Sequence, residues 1–182
     1  TGVLGQNGRG TLDHYGISNP RCVAGHTLSK AIGGYGGLIP GPAELLVHMR
    51  RNPGMLHAGL RRITETTFRF LEEAVKTGID GVFYAVQHGQ YSLLSADEFA
   101  TFCRPYDLQV LEAARGLWLN LLHLHGEAVM FDQVLDYPVA IINWHDRQAP
   151  PTLAEAQLLF PRTVCGGLRQ WETMVLGTPD QV

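Results

Sequence analysis

Apolar positions change their period along the chain, and the changes mark out its elements. From Pro53 to Thr77, Leu56, Leu60, Ile63, Phe70, Leu71 and Ala74 recur at helical spacing. Pro53 suits a first helical position and Gly78 suits a C-terminal cap. The run "GVFYAVQ" (81–87) is short and rich in β-branched and aromatic residues, so it predicts a buried strand. "SADE" (95–98) is a capping box that opens a helix to about Arg115, bent at Pro105.

The same alternation then repeats. "LWLNLLHLH" (117–125) predicts a second strand, residues 127–135 a short helix, and "VAIINW" (139–144) a third strand. "TLAE" (152–155) is another capping box, "RTVCGGL" (162–168) a fourth strand, and "WETMVLG" the start of one more helix. Strands that alternate with helices imply a parallel sheet. Four such units are about half of an eight-stranded α/β barrel, which typically takes roughly 250 residues. Periodicity alone leaves a four-stranded open α/β sheet as the alternative.

Composition changes the picture at the N-terminus. About half of the 21 glycines fall before residue 42, so residues 1–42 read as loops around short elements. The expected organisation is a glycine-rich segment at 1–42, a seam at 43–52 and a partial barrel at 53–182. A hydrophobic fraction of 45% suffices for a core. Net charge is −3 with no basic cluster longer than "RR", which argues against a nucleic-acid partner. Apolar runs are too short for a membrane span, and no signal-peptide pattern is visible. Cys22, Cys103 and Cys165 are odd in number and widely spaced, as in a reducing compartment. The expectation is a cytoplasmic protein with a small-molecule substrate. A chain that starts at Thr1 within a motif reads as a fragment.

Two places carry candidate chemistry. In "GHTLSKAIGGYGG" (25–37), Lys30 lies between hydroxyl groups and glycines. A lysine amine is nucleophilic when burial or a nearby cation lowers its pKa, and glycines let backbone approach a phosphate. A solvated lysine beside a turn satisfies the same pattern. In the second strand, residues two apart share a face, so His123 and His125 point the same way at its C-terminal end. Barrels keep their active sites at that end. Gln87 and His88, then Trp144, His145 and Asp146, and then Cys165 close the neighbouring strands. Two neutral imidazoles at i and i+2 suit zinc, with a carboxylate or thiolate from another strand completing the set. Substrate-facing or core histidines are the alternative. Glu127 and Asp146 are candidate acid–base groups, or else a helix-start carboxylate and a loop-orienting residue. No cofactor follows from the residues alone.

Residues 1 to about 42, through "TGVLGQNGRGTLDHYGI" and "GHTLSKAIGGYGG", resemble the pyridoxal-phosphate α-oxoamine synthases. The resemblance implies an internal aldimine at Lys30, with Thr27 near the cofactor phosphate; His26 departs from the glycine usual there. The family's Asp-x-Ala-His element would precede Thr1, so this segment alone is expected to be inactive. Residues 48–182, through "GIDGVFYAVQ", "LLSADEFATFCRPYDLQVLEA", "LLHLHGE", "INWHDR" and "TVCGGL", resemble the uroporphyrinogen decarboxylase superfamily. That superfamily includes zinc-dependent corrinoid methyltransferases, whose His-x-Cys falls on His123 and His125. The resemblance implies decarboxylation or related chemistry on a carboxylated small molecule, with zinc-dependent methyl transfer as the alternative. His123, His125, Glu127, His145 and Asp146 are the catalytic candidates, and His123 and His125 the metal candidates. A chimeric, non-catalytic fusion fragment is a third reading. With half of each parent motif missing, the expectation is that the chain as it stands is inactive, the decarboxylase-like barrel being its ancestry. An active pyridoxal-phosphate acyltransferase is the last reading. Half a barrel would also expose two strand edges through which copies could associate.

Overall fold

The computed structural model describes residues 41–178 and Asp180. The described residues divide at 63/64 into two compact units. Among the described residues two helices come first, α1 (Gly41–Arg51) and α2 (Pro53–Val75), so the expected seam at 43–52 is mostly helical. They are separated at Asn52, because Pro53 has no N–H with which to continue the ladder. Gly78, at φ +82°, takes the left-handed conformation that ends α2, as its position predicted.

The second unit holds a four-stranded sheet, all parallel, in the order β1 (Phe83–Val86), β2 (Leu121–Leu124), β3 (Ile141–Asn143), β4 (Thr163–Cys165). Strands in sequence order, parallel and joined by helical crossovers, form a partial α/β barrel. Every strand is shorter than its apolar run. Residues 117–120, for example, approach the sheet without joining the regular ladder.

The helix expected over 95–115 is two helices, α3 (Ala96–Phe102) and α4 (Arg104–Glu112), divided at Cys103. Pro105 cannot donate to the preceding turn, so the bend becomes a break. Residues 127–135 yield only a 3-10 turn, Phe131–Val134. Helix α5 (Leu153–Leu159) follows, and Gln170–Val175 winds as a π-helix. Both predicted capping boxes are formed: Ser95 Oγ accepts from the Glu98 N–H, Thr152 Oγ1 from that of Glu155, and each glutamate reaches back.

Burial separates the two faces of the sheet. Val86, Leu122, Leu124, Ile142 and Trp144 are buried, with Leu122, Leu124 and Ile142 at 0% exposure. Trp144 packs edge-on against Phe131 and donates from Nε1 to the Pro151 carbonyl at 2.9 Å. Below the strands, Asn120 is a buried polar node. Its Nδ2 donates to Ala114 O at 2.6 Å, and its Oδ1 accepts from Val82 N at 3.2 Å. Without those bonds a buried amide would cost about 1–3 kcal/mol. Among the described residues no helix is long and apolar enough to cross a membrane.

Candidate functional site

Parallel register builds the site row by row. Ala85, His123, Asn143 and Cys165 are successive Cα partners across the four strands. Two residues further along lie His125 and His145, just past the ends of β2 and β3. The period-2 alternation turns all three histidines to the face opposite Leu122, Leu124 and Trp144. After His125 the chain turns sharply at Gly126, whose φ of +106° few other residues adopt. A Cβ at Gly126 would also collide with the Gln90 side chain.

His123, His125 and His145 converge. Their ring centroids are 5.4–6.1 Å apart, and each offers one nitrogen within 4.8 Å of the other two. The His123 ring stacks on Phe83 at 5.6 Å, and its Nδ1 lies 2.6 Å from Asn143 Oδ1. Burial, opposed by the Asn143 hydrogen bond and aided by the neighbouring His145 and His125, holds His123 below the ordinary imidazole pKa. Burial also lowers His88, with a smaller contribution from His125. Depressed pKa values keep imidazoles neutral at pH 7, the form that ligates metal.

A cavity of about 190 Å³ opens beside these rings, lined by His123, His145, Asp146, Arg147 and the Gly167 backbone among others. Asp146 holds this wall together: its Oδ1 accepts from Gly167 N at 2.8 Å, joining the loop after β3 to the loop after β4. Its other oxygen lies 3.8 Å from Arg147 Nε, and the Asp146 side chain is 5% exposed.

The five catalytic candidates therefore separate. His123, His125 and His145 form one cluster; Asp146 lines the cavity beside it as a loop tie; Glu127 is exposed on the turn after β2 and does not join the cluster. His123 and His125 were expected to need a carboxylate or thiolate partner, and the group instead gains His145. Cys165 is exposed and stands outside it. Lys30 and Thr27 lie outside the described residues, as does the glycine-rich segment up to residue 40. Asn143 escaped the sequence reading, although its position two before His145 already put it on the same face.

Three imidazoles without an intervening carboxylate are an all-nitrogen donor set, suited to zinc and other borderline cations. Tetrahedral zinc needs its ligand nitrogens closer than 4.8 Å, so small side-chain adjustments would complete the geometry. The donor chemistry fits a zinc ion, with a further position left for water or substrate.

Comparison with known proteins yields two distinct relationships. The family described as Uroporphyrinogen decarboxylase (URO-D) matches residues 32–182, which include every residue of the site. A methyltransferase from Methanosarcina mazei has the same fold, with a TM-score of 0.65, 15% identity, and coverage of 76% of this chain and 41% of its own. The second relationship is to 8-amino-7-oxononanoate synthases. That of Symbiobacterium thermophilum is 36% identical over 104 residues, 44% of this chain. 8-Amino-7-oxononanoate synthase 1 of Bacillus subtilis is 46% identical over 50 residues, 28% of this chain. The chain spans only 26% and 13% of the lengths of these two relatives.

Proposed function

We propose, for a chain that belongs to the uroporphyrinogen decarboxylase family, that its strand-end site works through a zinc ion held by His123, His125 and His145. The reaction class is transfer or activation at a small methylated or carboxylated molecule, closer to zinc-dependent methyl transfer than to metal-free decarboxylation. The observation that carries this reading is the convergence of three imidazole nitrogens within 4.8 Å.

When bound, zinc supplies Lewis acidity that lowers the pKa of a coordinated thiol or water. The chain's own residues do the rest. Phe83 stacks on His123 and limits the tilt of its ring. Asp146, pinned by Gly167, fixes the loop that carries His145 and Arg147. Arg147 borders the cavity and offers a cation for an anionic group of the substrate. The same arginine is what supports decarboxylation of a carboxylated molecule as a second reading. Every residue of the site lies inside the family match, so the synthase-like segment is assigned no part in it.

Equilibrium dialysis of the full chain against zinc tests the proposal. The expected result is one zinc per chain, lost in both His125→Ala and His145→Ala. Equal zinc retention by the native chain and by a variant lacking all three imidazoles would overturn it in favour of metal-free chemistry.

A further inference from the structure

Asn143 faces two partners that differ in kind. Its Nδ2 donates to the backbone carbonyl of Cys165 at 2.8 Å, while its Oδ1 meets His123 Nδ1 at 2.6 Å. The Cys165 carbonyl can only accept, so the amide's NH2 must point toward β4. Reversing the amide would set two oxygens against each other there. Its oxygen is thereby aimed at His123, and an amide oxygen also can only accept. His123 Nδ1 must then carry the hydrogen, and the lone pair of the neutral ring must lie on Nε2.

We infer that Asn143 is a positioning residue, which holds His123 as the Nδ1–H tautomer with Nε2 as its sole donor nitrogen. Information passes across three strands in one register row: the β4 backbone orients an amide on β3, and that amide selects a tautomer on β2. Neutral histidine free in water exchanges readily between tautomers. Here a bond to each side of one amide removes that freedom before any ligand arrives. The stack on Phe83 restrains the same ring from its face. Its consequence for a metal rests on the zinc reading above: zinc would meet a ring already oriented by an outer hydrogen bond. Such outer partners are typically worth about 10–100-fold in metal affinity.

The test is nitrogen-15 NMR of the imidazole rings in the full, metal-free chain at a pH where His123 is neutral. The native chain is expected to show a protonated Nδ1 and an unprotonated Nε2 at His123. Asn143→Ala, which removes the acceptor facing Nδ1, should give mixed tautomers at His123. A native His123 protonated at Nε2, or a tautomer ratio unchanged by Asn143→Ala, overturns the inference. The native spectrum decides even if a variant fails to fold. Zinc titration is a separate arm: Asn143→Ala is expected to weaken binding by about 10–100-fold. If the native tautomer is as stated but zinc does not bind, the zinc proposal fails and the role of Asn143 stands.

Discussion

The two faces of one four-stranded sheet are built from the same strands and spend their residues differently. One carries Val86, Leu122, Leu124, Ile142 and Trp144, all buried. The other carries Phe83 at 44% exposure, His125 and Cys165 exposed, and His123, Asn143 and His145 between. Adjacent residues thus have opposite duties: Trp144 seals the core while His145 joins the histidine cluster. The division follows from the pleat, because a strand cannot turn two neighbouring side chains the same way. Substitutions on the first face should therefore be read in stability, and those on the second in ligand binding.

The largest stability loss is expected at Trp144. Truncation to alanine removes a ring that is 1% exposed, together with its bond to Pro151 and its contact with Phe131. A loss of about 3–5 kcal/mol follows. Denaturant unfolding, followed by hydrogen exchange in the strands, measures it. Retention of native protection in β2 and β3 would break the assignment of this face as the core.

The next effect is a pH dependence behind the buried face. Asp107 accepts from Tyr84 Oη at 2.6 Å and from Tyr137 Oη at 2.9 Å, and burial pushes its carboxyl up to about 6 against those bonds. A folded-state pKa raised above the ordinary 3.8 means that its stabilising contribution is full below that value and is lost as pH rises through about 6. Relative to Asp107→Asn, the native chain should gain on the order of 2–4 kcal/mol between pH 7 and pH 4. The depressed pKa values of His88 and His123 act the other way as pH falls, which is why the difference between the two proteins is the quantity to measure. An offset that stays constant across this range would remove Asp107 as the source.

Capping is smaller and more local. Ser95→Ala deletes the acceptor for Glu98 N at the start of α3 and should cost about 1 kcal/mol. Ser95→Asp, which restores an acceptor, should recover most of it in the same denaturant measurement. Equal stability of the alanine and aspartate variants would mean that the cap contributes nothing to the helix.

These effects also show what could be read from the chain beforehand. The capping boxes were legible because a hydroxyl and a carboxylate three residues apart act locally. The strands were legible as apolar runs, but their ends were not: whether Leu117 to Asn120 join the ladder depends on a partner strand, not on their own propensity. The Cys103 break was only half legible, since Pro105 signals a bend but not its severity. His123 and His125 could be paired because one strand carries both. His145 could be matched to them only through the β2–β3 register. Asp107 gave no signal at all, because its partners Tyr84 and Tyr137 lie 23 and 30 residues away.

The smallest stability effect is expected on the second face, and its smallness is what makes it useful. His125 is exposed and sits past the end of β2, so His125→Ala in the metal-free chain should move the unfolding free energy by less than about 0.5 kcal/mol. The same substitution removes one of three converging nitrogens and should weaken zinc binding by more than the roughly 10–100-fold that outer partners carry. Thermal unfolding with and without zinc reads both quantities in one experiment, since a ligand that binds only the folded chain raises its midpoint by mass action. The native protein should gain a zinc-dependent shift that His125→Ala lacks, from equal metal-free midpoints. If His125→Ala instead lowers the metal-free midpoint as a core substitution would, the histidine face is serving the fold, and the contrast between the two faces collapses.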